Sequence, residues 1–574
     1  MTMLRLVLDG LRFHWRMHLG AAIGTALAAA ILTGALLVGD STDYSLRQYA
    51  SARLGSIHYA IESRGGFFSQ DLVNVLEEVV GAPMVPALTL RGMALPTDTA
   101  AGSQINQVSV IGTTAAFWDF DPEAEAALEG YETALNERLA QALGVGAGDQ
   151  IALRISKPGI LPRDAPLSSR AEDTSVRVMC TVTAVLPDTG LGRFSLTASQ
   201  AAPYNAFVNS EWLQEQTELE GRVDTVLVGE GTTHEDLDKA LGEEWRLEHT
   251  GLRLHSHPSG VLQLETDRIF LHSAVAEAAL TLPDAQGTLS YLVNSISKDD
   301  LFTPYSFATG GPVPPDMPDD EVVINRWLAD EIQAEPGDSV EVRYYELTPA
   351  NEFVEKERTF TVHGIAEMDE LEAERELVPE FPGLTDVERC ADWDIGMPLD
   401  DEYLADEANE DYWNLYGPTP KLLCTLAAAQ EMWANRFGDL MTVRFPSDTT
   451  SASEVRDALH RHVAPADVGL LAVPVREQAF EAVETALDLG GLFLGMSFFL
   501  IVAALVLTAL LFVFGVQRRA SEMGALLALG FRPRHIRALF LAEAASSAIV
   551  GAAAGAAAST VYTRALIFGL THYW

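Results

Sequence analysis

The stretch FFLIVAALVLTALLFVF (498–514) decides the fold class of this chain. It is the centre of a longer segment, Gly490 to Val516, whose 27 residues include no charged side chain. An α-helix rises about 1.5 Å per residue, so the segment exceeds the roughly 30 Å of hydrocarbon in a bilayer. The sequence therefore predicts a membrane-spanning helix at 490–516.

Two further uncharged segments, Leu19–Gly39 with 21 residues and Ala544–Thr563 with 20, are also long enough to cross a membrane. The alternative for the first is a cleaved signal peptide, but its apolar run is too long and no small-x-small cleavage motif follows it. Ala- and Gly-rich helices such as the third segment also occur in soluble proteins. However, the third segment follows closely after the second along the chain, which favours a membrane span. We predict transmembrane helices at 19–39, 490–516 and 539–563.

The charges beside these helices predict their orientation. The chain has 38 Lys+Arg against 81 Asp+Glu, a formal net charge of −43. Residues 1–18 carry +2 and residues 517–574 carry +4, which leaves −49 for residues 19–516. Cytoplasmic flanks are enriched in Lys and Arg. We therefore expect 1–18 and 517–538 inside, and 40–489 and the tail 564–574 outside.

The large domain at 40–489 contains an internal repeat. LNERLAQALGVGAGDQIALR (135–154) aligns with INRWLADEIQAEPGDSVEVR (324–343), and each copy has the pattern of a helix, a Gly-Asp turn and a half-buried strand. Residues 207–228 and 423–445 share a strand–helix–strand pattern. We therefore expect an α-helical membrane core with an α+β extracytoplasmic domain of two repeat-related lobes, near 55–250 and 318–475.

Metal sites and disulfides are not favoured by the sequence. Residues 367–411 hold 18 Asp+Glu against two Arg, but their spacing lacks the ligands of a calcium loop, so a solvated acidic insertion is the preferred interpretation. His255 and His257 alternate on a strand, which exposed histidines often do without binding a metal. The sequence leaves undecided whether Cys390 and Cys424 form a disulfide, since nothing in it brings them within bonding distance.

No set of catalytic residues is recognisable, and we expect neither enzyme activity nor a cofactor. HExxH, GxSxG and CxxC are absent, and none of the five lysines follows a glycine, so the chain has no Walker A loop. The negative charge also argues against nucleic-acid binding, which depends on attraction to phosphates. Any ATP hydrolysis must come from a separate chain.

The segment RRASEMGALLALGFRPRHIRALFLAEA (518–544) is the most informative part of the predicted cytoplasmic stretch. A short helix is expected from Ser521, as N-cap, to Leu529, with Gly530 ending it and Pro533 preventing its continuation. Physical chemistry alone leaves two interpretations open. The helix is either a simple interfacial connector or a docking element for a partner.

The same segment resembles the signature of FtsX/MacB-type ABC transporter permeases, in a large-ectodomain branch of that family. VSVIGTTAAFWDFDP (108–122) is similar to the MacB-like periplasmic core, and YWNLYGPTPKLLCTLAAAQEMWANRFG (412–438) to a stretch of that branch. Leu527 stands where the family has an arginine, and a fourth span is expected but not found, so the chain looks C-terminally incomplete. The residues that match the family signature are Arg519, Glu522, Gly524, Ala528, Gly530 and Glu543.

The resemblance implies a function and partners. It implies a non-catalytic permease subunit in the cell inner membrane that transmits the motion of a separate, dimeric ABC ATPase to the periplasmic domain, for efflux, lipoprotein release or envelope regulation. A second permease copy or a homologue and the lipid membrane are the other implied partners. The alternative is a membrane-anchored sensor or adhesin, which has no need of the 518–530 helix.

Small residues predict how the spans pack. Gly20 and Gly24 open the first span, and Gly551 and Gly555 lie within the third. Close approach of backbones across small residues provides the dispersion contacts that hold helices together in lipid. We expect these glycines to face other helices rather than lipid, although a composition simply rich in Ala and Gly is the alternative.

Overall fold

The computed structural model describes residues 3–64, 66–97, 104–121, 124, 126–158, 167, 175–197, 202–350, 352–372, 374–381, 383–486 and 489–573. The chain forms two compact units. We call residues 1–52 with 476–574 the membrane unit, and residues 53–475 the large domain.

The chain begins with two helices and then forms the first lobe of the large domain. The helices are α1 (Met3–Phe13) and α2 (Trp15–Ala52). The first lobe contains, in chain order, β1 (Tyr59–Ser63), β2 (Phe68–Ser69), α3 (Asp71–Val80), β3 (Met84–Pro96), β4 (Ile105–Thr113), β5 (Glu132–Asn136), α4 (Glu137–Leu143), β6 (Gln150–Ser156), β7 (Ser175–Leu186), β8 (Tyr204–Asn209), α5 (Ser210–Thr217), β9 (Arg222–Val223), β10 (Thr225–Val228) and α6 (His234–Glu244).

The second lobe repeats this succession with an insertion. It contains β11 (Leu252–Ser256), β12 (Val261–Thr266), α7 (Ser273–Leu280), β13 (Gln286–Lys298), β14 (Leu301–Gly310), β15 (Glu321–Asn325), α8 (Arg326–Glu331), β16 (Ser339–Leu347), β17 (Phe353–Ala366), α9 (Met368–Glu372), α10 (Asp401–Leu404), α11 (Glu407–Tyr416), β18 (Leu422–Cys424), α12 (Leu426–Trp433), β19 (Thr442–Pro446) and α13 (Ala452–His462). The chain then continues through β20 (Leu470–Val473), α14 (Val475–Ala486), α15 (Leu489–Arg518), α16 (Ala520–Ala528) and α17 (Pro533–Tyr573).

The two lobes have the same sheet topology, which confirms the predicted fold class. One sheet has the order β20-β1-β10-β3-β4-β8-β5-β7-β6, and the other β11-β12-β19-β13-β14-β18-β15-β17-β16. Each strand of the first sheet has a counterpart at the same place in the second. Even the additional pairings correspond, since β3 also pairs with β6 and β13 with β16.

The aligned residues of the repeat have equivalent roles. Asn136 and Asn325 both cap a helix, accepting hydrogen bonds from the backbone N–H groups of Leu139 and Leu328. Asp149 and Asp338 each accept a backbone N–H from three residues earlier in their turns. The interpretation of the Gly-Asp turns as structural elements therefore agrees with the geometry.

The lobes exchange one edge strand each. β11 follows α6 of the first lobe but pairs with β12 of the second. β20 follows α13 of the second lobe but pairs with β1 of the first, where Ile61 lies opposite Ala472. The chain thus crosses between the lobes twice, and each crossing ends at a glycine with positive φ, Gly251 at 75° and Gly469 at 87°.

This exchange changes the lobe boundaries expected from the sequence. The second lobe was placed near 318–475, but its sheet begins at Leu252 and β20 belongs to the first sheet. The aligned repeat covers only helix–turn–strand elements in the middle of each lobe. It carries no information on which sheet an edge strand joins, because that pairing is non-local.

The acidic insertion between β17 and β18 is only partly solvated. Its exposed side carries the carboxylates, while Phe381, Trp393, Ile395 and Trp413 are buried in the second-lobe core. Cys390 and Cys424 belong to the same core and both thiols are free.

In the membrane unit, three of the described helices are long and apolar enough to span a bilayer, over Trp15–Ala52, Ser497–Arg518 and Pro533–Ala565. α2 packs against both α15 and α17. A side chain at Gly551 or Gly555 would meet the α2 backbone at Ala22 or Ala26. One at Gly24 would meet Thr508 of α15, and Gly20 lies near Leu511 of the same helix.

Candidate functional site

The motif residues Arg519, Glu522 and Glu543 form an ion-pair cluster in the membrane unit. Arg519 lies between α15 and α16, and Glu543 lies in the first third of α17. Arg519 donates from Nη1 to Glu543 Oε2, and from Nε to Glu522 Oε2 at 2.8 Å. The side chain of Arg519 is 7% exposed and that of Glu543 only 1%. The pair is therefore shielded from water, and two charges attract each other more strongly in the protein interior than they do in water.

Two histidines near the start of α2 complete the ion-pair cluster. His14, between α1 and α2, places Nε2 2.8 Å from Glu522 Oε1. His18 is buried, with Nδ1 3.0 Å from Ser547 Oγ and Nε2 3.6 Å from Glu543 Oε2. The cluster thus joins α16 to the beginning of α2 and to α17 through side chains alone.

A glycine and an aromatic ring shape the pocket around these charges. A side chain at Gly10 of α1 would collide with the Glu543 carboxylate, so the helix approaches Glu543 only because that position has no Cβ. On another side, the guanidinium carbon of Arg519 lies 4.5 Å from the centre of the Phe540 ring. This contact adds a cation–π attraction to the ion pairs.

Glu522 is held in its charged form. Partial burial opposes ionisation, but the hydrogen bond and charge of Arg519, together with His14, lower the pKa of Glu522 below its usual value. The carboxylate therefore keeps its negative charge at neutral pH and continues to bridge Arg519 and His14.

The other motif residues lie on the opposite side of α16. Gly524 and Ala528 are exposed, as are Ser521 and Ala525, so small side chains line one face at helical spacing. Among the described residues, a Cβ added at Gly524 or Gly530 would have no atom within 4 Å beyond its chain neighbours and its own helix backbone. The signature thus divides into inward charges and an outward face that leaves room for another surface.

The local structure differs from the expectation at the start of α16. Ser521 was expected as the N-cap, but the helix begins at Ala520, and Arg519 holds the cap position without a capping hydrogen bond from its side chain. Arg519 is instead drawn towards Glu522 and Glu543. Gly530 has φ 90°, and Phe531 donates its backbone N–H to Leu526, which ends the helix in a left-handed turn.

Sequence reasoning missed Gly10, His14, His18 and Ser547. His14 and His18 lie four residues apart before an apolar run, a spacing that puts both on one helix face. That spacing was the available signal, but it did not identify carboxylates from residues 522 and 543 as their partners.

No metal centre competes with this site within the described parts of the chain. There, no group of three or more His, Cys, Asp or Glu side chains is placed to hold a metal ion. His255 and His257 have ring centres 4.8 Å apart, and His257 Nδ1 lies 3.0 Å from Glu376.

Comparison with known proteins identifies the C-terminal region. Residues 494–573 match the family model "FtsX-like permease C-terminal". They include most of α15 and all of α16 and α17, and therefore all six motif residues named from the sequence. The resemblance to FtsX/MacB-type ABC transporter permeases is confirmed for this region. None of the curated proteins matches the chain.

Three solved structures have low similarity to about one third of the chain. The periplasmic region of MacB from Actinobacillus actinomycetemcomitans is 11% identical with a TM-score of 0.23, over 33% of this chain and 84% of that one. The extracellular domain of YknZ from Gram-positive bacteria is 10% identical with a TM-score of 0.21, over 32% and 88%. A domain of a putative permease from Porphyromonas gingivalis is 14% identical with a TM-score of 0.21, over 34% and 84%.

Proposed function

We propose that this chain is the permease subunit of an ABC transporter that transmits the motion of a separate ATPase to its large domain. The observation that carries the proposal is the ion-pair cluster. Arg519 and Glu522 tie α16 to Glu543 of α17 and to His14 at the start of α2. A displacement of α16 therefore acts on α2 and α17 directly, as well as on α15 through the chain.

The docking face for the ATPase is the exposed side of α16. Ser521, Gly524, Ala525 and Ala528 offer a surface of small side chains, and Leu527 and Leu529 are exposed beside it, 50% and 76%. Such a helix fits into a groove of a partner. The ATPase acts as a dimer, and a second permease copy or a homologue occupies its other half.

Motion reaches the large domain through two adjacent strands. α2 leads along the chain into β1, and β20 leads into α14 and α15. β1 and β20 are antiparallel neighbours, with Ala60 opposite Val473. The two connections from the membrane unit are thus hydrogen-bonded to each other within one sheet. A relative shift of α2 and α15 would first strain the hydrogen bonds between β1 and β20.

The proposed setting is the cell inner membrane, with α16 in the cytoplasm and the large domain in the periplasm. The positive flanks of the spans and the negative large domain support this orientation. The work would be done outside the membrane, as in efflux, lipoprotein release or envelope regulation. The alternative function is that of a membrane-anchored sensor or adhesin. In such a protein, a buried ion-pair cluster next to an exposed helix face would have no role.

The test is co-purification followed by ATPase assays of the assembled complex in nanodiscs. We expect a P-loop ATPase to accompany the chain in mild detergent. Arg519→Gln should leave that ATPase bound but remove most of the coupling between hydrolysis and movement of the large domain, measured as a nucleotide-dependent distance change between spin labels. Arg518→Gln is the matched control, since Arg518 is exposed. Absence of any ATPase, or full coupling in Arg519→Gln, would contradict the proposal.

A further inference from the structure

A cleft with a volume of about 590 Å³ lies between the two lobes of the large domain. Thr89, Leu219 and Asp224 of the first lobe contribute one side, and Arg268 and His272 of the second lobe the other. Both crossings between the lobes also line it, at Thr250–Gly251 and at Val468. Its volume and its position between two lobes are typical of small-molecule sites.

Arg268 is the unusual charge in this cleft. Its guanidinium donates from Nη1 to His272 Nε2 at 2.8 Å. Among the residues that the structure describes, no carboxylate forms an ion pair with it. The neighbouring Asp267 is already paired with Arg222 and, at 3.1 Å, with Arg253. Burial lowers the pKa of Arg268, and burial and the nearby Arg268 charge lower that of His272.

A cation that is partly withdrawn from water without a counter-ion destabilises the folded protein. A neutral histidine accepts one hydrogen bond but contributes no negative charge. The remaining donors of the guanidinium are suited to a carboxylate, which they can bind through two parallel hydrogen bonds. The cleft therefore has a place for an anionic group at Arg268.

The other charged residues of the cleft do not repel such a ligand strongly. Glu218 is paired with Lys157 at 2.7 Å. Burial raises the pKa of Asp224 to about 7, so much of this carboxyl is uncharged at neutral pH. Leu219 and Val468, together with the partly buried Phe67, supply apolar surface beside these groups.

We propose that the cleft between the lobes binds a small organic carboxylate, whose carboxylate pairs with Arg268 and whose apolar part lies against Leu219 and Val468. Because both lobes and both crossings line the cleft, such a ligand lies beside the two segments that connect the lobes. Binding would stabilise that arrangement by mass action. The proposal is independent of the ATPase coupling.

The experiment is calorimetric titration of the full-length protein in nanodiscs with N-acetyl-phenylalanine and with its neutral amide. We expect the acid to bind at least tenfold more tightly than the amide. Arg268→Gln should weaken binding of the acid at least tenfold, and Arg268→Lys should restore part of it. Arg456→Gln is the matched control, because Arg456 pairs with Glu248 outside this cleft and should leave binding unchanged.

A second variant tests the location without altering charge. Thr89 is an exposed residue of the cleft wall, so Thr89→Trp should fill the cleft and abolish binding while the melting temperature is retained. Equal binding of acid and amide, no binding of the acid, or undiminished binding by Arg268→Gln or by Thr89→Trp would each overturn the proposal.

Discussion

The side chain of Arg519 makes several of the contacts that hold the helices of the membrane unit together. It is nearly buried, bridges two carboxylates and lies against an aromatic ring. The sequence named Arg519, Glu522 and Glu543 through a family signature, without indicating that they touch. Their proximity depends on how α15, α16 and α17 meet, and no local pattern specifies that geometry.

At the residue scale, a first prediction concerns the buried pair of Arg519 and Glu543. Arg519→Met should destabilise the membrane unit by about 3–5 kcal/mol, because it leaves the Glu543 charge buried without its partner. The double variant Arg519→Met/Glu543→Leu should recover most of that loss, since well-packed apolar residues can replace a buried pair. Denaturant unfolding in detergent measures both. A double variant less stable than the single one would contradict the argument.

A second residue-scale prediction concerns Lys421, which is 1% exposed in the second-lobe core. Its ammonium donates to Asn409 at 2.6 Å and Thr303 at 3.0 Å, and it lies 4.2 Å from the Trp327 ring. Burial lowers the pKa of Lys421 from 10.5 to about 7. Between these two values the unfolded chain binds more protons than the folded one. Raising the pH in this window therefore favours folding.

The measurement compares wild-type protein with Lys421→Met. From pH 7 to pH 9 the free energy of unfolding of the wild type should rise by roughly 1–3 kcal/mol relative to the variant. Other titrations cancel in the difference. A difference that does not change with pH would show that Lys421 keeps its proton in the folded state.

At the element scale, local chemistry in the sequence predicted one boundary well. Gly530 ends α16 as expected, because a left-handed turn depends on a few neighbouring residues. The partners of β11 and β20 could not be predicted this way. Both strands are short, with five residues in β11 and four in β20, and either lobe has an edge that would accept them.

The element-scale prediction tests the end of α16. Gly530 has φ 90°, where a β-branched side chain is strained and asparagine is tolerated. Gly530→Val should therefore uncouple ATP hydrolysis from transport, whereas Gly530→Asn should retain at least half of the activity. Apart from its chain neighbours, no atom of the described residues lies within 4 Å of a Cβ at this position, so the expected effect comes from the backbone conformation. If Gly530→Val couples ATP hydrolysis to transport as well as the wild type does, this prediction is wrong.

At the scale of the whole molecule, the exchanged strands make the two lobes of the large domain interdependent. The first sheet lacks its edge strand β20 unless the second lobe is folded, since β20 follows α13 of that lobe along the chain. β11, by contrast, pairs with its next strand along the chain, β12. The lobes should therefore unfold as one cooperative unit rather than one after the other.

A core variant in one lobe tests this interdependence. Leu264 is fully buried in the second lobe, and Leu264→Ala should cost about 2–5 kcal/mol. Hydrogen exchange should then accelerate by a similar factor in β1 and β10 of the first lobe, which contribute buried residues to a different core cluster from that of Leu264. Exchange that accelerates only within the second lobe would show that the lobes open independently.

The exchanged strand β20 also has a consequence for biosynthesis. The outer edge of β1 is made early, but the strand that covers it is not complete until residue 473 has been synthesised. At typical translation rates of about 5–20 residues per second, this edge stays open for roughly 20–80 s. An unpaired apolar edge is a template for aggregation. The nascent large domain therefore needs a chaperone, or rapid shielding at the translocation exit, until its last strand arrives.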